Sequence, residues 1–215
     1  TQRLVERLET WLETAAKASE KQTNCTEQDI MVIAYGDHVY RDGEAPLRVL
    51  REFMNRELRG IVNRVHVLPF YPYSSDDGFS VIDYTAVDPA LGEWSDVKAL
   101  SDDYRVMFDF VLNHISARSA WFQGFLKGQK PYEDFFIEEH PDTDLSLIRR
   151  PRTLPLLTEF EMARGTKYVW TTFSHDQIDL NYKNPEVLLA MIDVMLEYIQ
   201  KGAAALRMDA VTFLW

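Results

Sequence analysis

Four apolar runs of six or seven residues punctuate this chain: 30–35 (IMVIAY), 65–70 (VHVLPF), 106–112 (VMFDFVL) and 203–208 (AAALRM). Helical periodicity separates them. Residues 46–58 open on Pro46 and place Leu47, Leu50, Phe53, Met54 and Leu58 on one face. Ser95 is placed to cap a helix running through Leu100, ahead of the third run. Before the fourth, Asn184 and Pro185 start a helix to Gln200 that Gly202 stops, with Val187, Leu188, Met191, Ile192, Met195 and Ile199 in register. Strands alternating with helices are the mark of parallel βαβ units, because parallel neighbours need a crossover connection. The fold class is therefore α/β.

The rhythm breaks between Ser116 and Tyr182, where aromatics, prolines and short charged pieces follow no regular period. So many large apolar groups mark an inserted subdomain rather than a disordered tail. Ahead of the first run, residues 2–19 carry Leu4, Leu8, Trp11, Leu12 and Ala15 at helical spacing, and 19–28 read as a polar loop. The expected division is a helical extension over 1–28, three β/α units over 29–115, an insert over 116–183, and a helix with the fourth strand over 184–215. A net charge of −11 without a basic stripe excludes nucleic acid as a partner. The single cysteine, Cys25, forms no internal disulfide, and neither a signal-like segment in the first twenty residues nor a membrane-length apolar run is present. The expectation is a soluble cytoplasmic chain without membrane contact.

Functional side chains of parallel α/β barrels project from the C-terminal ends of the strands. Here those ends deliver Gly36, Asp37 and His38, then Asp76 and Asp77, then Asp109, Asn113 and His114, and finally Arg207 and Asp209. Read together, DFVLNH at 109–114 and LRMDA at 206–210 resemble the first two signatures of the α-amylase superfamily (glycoside hydrolase family 13). The stretch 66–94 (HVLPFYPYSSDDGFSVIDYTAVDPALGEW) resembles its sucrose phosphorylase branch, and within it relatives acting on glucosylglycerate or on phosphorylated sucrose. The resemblance runs from about Ile30 to Trp215. It implies the N-terminal half of a (β/α)8 TIM barrel, with the irregular subdomain inserted between strands 3 and 4 and the C-terminal half of the barrel missing.

The resemblance also implies roles. Asp209 matches the catalytic nucleophile, and Arg207, two residues earlier on the same strand face, matches the arginine that keeps it ionised. His114 matches a histidine touching the bound glucosyl unit, and Asp76 an aspartate gripping its far hydroxyls. Phe79 matches an apolar platform beside that sugar, although core packing would suit the residue equally. Asp109 is assigned to positioning the loop with Asn113 and His114. Segments 150–152 and 173–177 match the acceptor side. There Arg152 is the candidate for phosphate, Phe173 and Gln177 for facing the sugar, and Tyr71, Tyr73 and His175 for further contacts. No metal or other cofactor is implied. The implied reaction is transfer of glucose from an α-glucoside to inorganic phosphate, through a β-glucosyl-enzyme, by a retaining phosphorylase. A retaining site needs a second carboxyl group roughly 5 Å from the first. In this superfamily that glutamate follows a later strand, and Glu159, Glu161 and Glu197 are poor substitutes, so the chain alone is expected to be inactive. The competing readings are an amylase-family hydrolase or transglucosylase, and a non-catalytic sugar-binding fragment.

Overall fold

The computed structural model describes residues 2–15, 26–149 and 152–214. Cys25, Arg150, Pro151 and Trp215 lie outside the described residues, as does most of the loop expected over 19–28 and the last part of the helix expected over 2–19. Four parallel strands form the main sheet: β1 (Met31–Ala34), β2 (Arg64–Val67), β3 (Arg105–Val111) and β9 (Ala203–Asp209). Each pairs with the one before it, in the order β1-β2-β3-β9. A doubly wound sheet reverses direction at a switch point. This one never does, which is the winding of a barrel. The expected α/β half-barrel is what the chain forms.

The crossovers are α2 (Pro46–Phe53), continued by a π turn over Met54–Leu58, then α3 (Trp94–Asp103) and α5 (Pro185–Gln200). Leu47, Val65, Leu100, Val106 and Phe108 are fully buried between sheet and helices. A side chain such as Phe108 contributes about 1.5–3 kcal/mol on full burial. Asn184 caps α5 by accepting from the Glu186 N–H, and Gly202, at φ 107°, turns the chain out of it. Ser95 is not the cap of α3. Glu93 holds that place and shares a reciprocal capping box with Asp96, whose carboxylate accepts the Glu93 N–H at 3.1 Å. Two acids three residues apart satisfy two of the orphan donors, which a single serine could not. An N-terminal helix, α1 (Gln2–Ala15), docks on α5 through the ion pairs Arg3–Glu186 and Arg7–Asp193.

The insert leaves from the end of β3. Its first strand, β4 (His114–Ser116), pairs antiparallel with its last, β8 (Gln177–Asp179), so the insert closes on itself at its root. Within it lie α4 (Ala120–Leu126), capped by Ser119, and an antiparallel ladder β5-β7-β6, made of Glu138–Glu139, Lys167–Trp170 and Leu157–Phe160. Phe122, Phe125, Phe136 and Phe160 pack edge to face as a second small core. No described helix is long and apolar enough to cross a membrane.

Candidate active site

The parallel ladder places Asp109 of β3 opposite Arg207 of β9, and Val111 opposite Asp209. Side chains of directly paired residues share a face of the sheet. Arg207 Nη1 therefore reaches both carboxylates, 2.8 Å from Asp109 Oδ1 and 2.8 Å from Asp209 Oδ1. Asp109 is fully buried, and its other oxygen accepts from His66 Nε2 of β2 at 2.8 Å. Three neighbouring strands thus contribute one chain of polar contacts: His66, Asp109, Arg207, Asp209. Burial pushes the Asp209 carboxyl up, as do the charges of Asp109 and Asp76, and Arg207 offsets this only in part. Directly after Asp209, Ala210 sits at φ 53°, a left-handed conformation that strains an alanine.

A hairpin over residues 73–81 brings up the opposite wall. Tyr73 bridges Val81, the Ser74 N–H donates to the Ser80 carbonyl, and the tip carries Asp76, Asp77 and Gly78 at φ 56°, 49° and 102°. A Cβ at Gly78 would lie 2.8 Å from the Pro69 carbonyl oxygen, so no other residue fits there without moving backbone. The Phe79 ring then lies under the Arg207 guanidinium, 5.5 Å away, a cation–π contact that ties the hairpin to β9.

The root of the insert supplies the floor. His114 Nε2 lies 2.9 Å from the Phe79 carbonyl oxygen, which accepts only, so Nε2 carries the proton. Gln177 donates to Asp76 Oδ2 at 3.0 Å, and Phe173 leans on His114 with ring centroids 5.1 Å apart. The resulting cavity, about 300 Å³, is lined by Tyr35, Asp76, Asp77, Phe79, His114, Arg152, Phe173, Gln177 and Asp209. Arg152 hangs at its rim, 3.8 Å from Asp76 Oδ1 and half exposed. A wider groove of about 790 Å³ between α1 and α5 is lined by side chains such as Arg3, Arg7 and Asp193, which are already ion-paired.

Burial lowers His114 from 6.5 to about 4, so the ring is neutral near pH 7. The unfolded chain takes up this proton near pH 6.5 and the folded chain only near 4, so His114 withdraws stability as pH falls between those values. The loss approaches about 3 kcal/mol by linkage. Urea midpoints measured from pH 7 to 4 should fall less steeply in His114→Asn than in the parent, and equal slopes would refute the assignment.

The cavity gathers Asp76, Phe79, His114, Arg152, Phe173, Gln177 and Asp209, with Arg207 directly behind Asp209. Tyr71 belongs elsewhere. It is fully buried, stacks on Tyr198 at 5.0 Å, and donates to the Asp109 carbonyl oxygen, because its side chain turns toward α5. Tyr73 and His175 are exposed and stand outside the cavity, as do Asp37, His38, Glu159, Glu161 and Glu197. Tyr35 was missed: it ends the first apolar run, where a tyrosine reads equally as the last residue of a buried strand. Asn113 spends its amide on Asp179 at 3.3 Å, and among the described residues no group of three or more His, Cys, Asp or Glu is placed to hold a metal ion.

The sequence profile of the alpha amylase catalytic domain matches residues 59–214. The chain belongs to that family. It is 57% identical over 187 residues to the glucosylglycerate phosphorylase of Spirochaeta thermophila, covering 87% of this chain and 32% of that protein. It is 50% identical over all 215 residues to the glucosylglycerate phosphorylase of Escherichia coli, 38% of whose length is covered. The crystal structure of sucrose 6F-phosphate phosphorylase from Thermoanaerobacter thermosaccharolyticum superposes with a TM-score of 0.80 at 28% identity, over 91% of this chain and 42% of that one. The chain spans about a third of the length of the curated relatives it matches.

Proposed function

We propose that this chain carries the nucleophile half of a retaining α-glucosyl phosphorylase whose donor is glucosylglycerate. One observation carries the reading: Asp209, held by Arg207, opens onto a cavity whose other wall is a strained turn presenting Asp76. In this reading the Asp209 oxygen attacks the anomeric carbon as the bond to the glycerate oxygen breaks, giving a β-glucosyl ester. A phosphate oxygen then attacks the same carbon from the face glycerate has left, the ester bond breaks, and α-glucose 1-phosphate departs. Asp76, Gln177 and neutral His114 hold the glucosyl hydroxyls, and Phe79 and Phe173 provide its apolar contacts. The proton for the leaving oxygen comes from a carboxylic acid beyond this cavity, since none of Glu159, Glu161 and Glu197 lines it. The 215-residue chain alone is therefore expected to release no glucose 1-phosphate.

The stronger likeness to glucosylglycerate phosphorylases supports glycerate as the acceptor. The test is glucose 1-phosphate release by the full-length gene product from glucosylglycerate, sucrose and sucrose 6′-phosphate, with and without phosphate. Release that needs phosphate and is fastest from glucosylglycerate is the expected result, and equal turnover without phosphate would make the protein a hydrolase. Among the described residues lining the cavity, Arg152 at the rim is the one cation. Losing a charge-assisted contact weakens binding by about 1.5–3 kcal/mol. Arg152→Gln should accordingly raise the half-saturating phosphate concentration at least about tenfold, and an unchanged value would remove phosphate binding from Arg152.

A further inference from the structure

The tip of the 73–81 hairpin places three consecutive residues at positive φ, two of them aspartates. Such backbone persists only where its surroundings over-determine it. Asp176, which no step of the reaction uses, stands at the base of this hairpin. Its Oδ2 lies 2.5 Å from Ser74 Oγ, 2.6 Å from Ser75 Oγ and 2.9 Å from Ser80 Oγ, and its Oδ1 lies 3.3 Å from Ser116 Oγ. Three of these hydroxyls meet at Oδ2. Ser74 Oγ also lies 2.5 Å from Ser116 Oγ and Ser80 Oγ lies 2.9 Å from the Asp176 carbonyl oxygen, so the four serines form one network centred on Asp176. Burial pushes the Asp176 carboxyl up, yet the four serines together outweigh it and hold it below the usual carboxylate value. The next residue, Gln177, donates to Asp76 at the tip. Asp176, just before β8, and Gln177, its first residue, thus hold the legs of the hairpin and its end.

We propose that Asp176 is a positioning residue: a clasp on four serine hydroxyls that fixes Asp76 and Phe79 against β8, and so sets the affinity for the glucosyl unit without touching it. The part concerning glucose rests on the function proposed above; the clasp itself does not. Neutral asparagine offers one accepting oxygen where the carboxylate offers two, so at least one serine loses its acceptor and the hairpin loosens.

The test uses the full-length protein with Asp176→Asn and, as a milder change that removes a single donor, Ser75→Ala. Amide exchange is followed at Phe79 and Ser80, whose N–H groups donate to the Asp76 and Ser75 carbonyls. Steady-state kinetics of phosphorolysis are measured alongside. In Asp176→Asn, exchange at residues 79 and 80 should quicken about tenfold, with α5 unaffected, and KM for glucosylglycerate should rise about tenfold while KM for phosphate stays within twofold. Ser75→Ala should move both in the same direction by less, and it carries both measurements if Asp176→Asn does not fold. Unchanged protection at 79 and 80 in the folded variants would overturn the clasp. Faster exchange with an unchanged glucosylglycerate KM would overturn the positioning role. A parent protein that turns over no glucoside would sink the proposed reaction, and the exchange measurement would still decide the clasp.

Discussion

Asp209→Asn in the full-length protein is expected to lower glucosyl transfer at least about 10⁴-fold, the scale on which loss of a covalent nucleophile is felt. The amide keeps the shape that Arg207 grips at 2.8 Å but cannot form a glucosyl ester. Lengthening the side chain is no remedy. Asp209→Glu would carry the oxygen past a reacting distance of about 3–3.5 Å, and should also be severely impaired. Stability should move the other way or not at all. Burial and the charges of Asp109 and Asp76 disfavour the ionised carboxyl here, so removing its charge relieves a cost that the fold otherwise bears. Single-turnover kinetics with thermal melts separate the two effects. A variant that retains more than about one per cent of the parent rate would move the nucleophile elsewhere.

The barrel part of this architecture was legible because its strands are punctuated. Helix α5 spans the expected residues, since Asn184, Pro185 and Gly202 are boundary residues for stated physical reasons. The start of α3 was misplaced by two residues because an acidic pair can do the work usually given to serine. The insert resisted for a different reason. Strands of two to four residues are too short to show a period, and Gly124 weakens the helical signal of α4 to make room for the Tyr132 ring. At the cavity, residues belonging to a contiguous pattern could be picked out: Asp76 with Phe79, His114 after DFVLN, Arg207 with Asp209. Residues that act through tertiary contacts could not. His66 in mid-strand and Asp176 before Gln177 have no local pattern that separates them from any buried or capping residue. Tyr71 shows the converse error: proximity to a strand end does not fix which way a side chain points.

Asp109→Asn is expected to cost about 1 to 3 kcal/mol, the penalty of leaving a buried donor without an acceptor. Asp109 is fully buried and faces two donors, His66 Nε2 and Arg207 Nη1, each at 2.8 Å. Asparagine can turn its oxygen to only one of them; half-exposed Arg207 can turn to water, whereas the buried His66 Nε2 cannot. In a double-mutant cycle, adding His66→Leu should recover part of the loss, because the orphaned imidazole donor is then gone. The effect on Asp209 should be opposite in character. Asp109 is one of the charges holding the Asp209 carboxyl up, and it competes with Asp209 for the same arginine nitrogen. Removing that charge lowers the pH at which Asp209 ionises, on both counts. The acid limb of the rate profile of the full-length protein should therefore move to lower pH even as the protein becomes easier to unfold. A limb that moves to higher pH, or stays in place while stability falls, would show that Arg207 is not shared between the two carboxylates in solution.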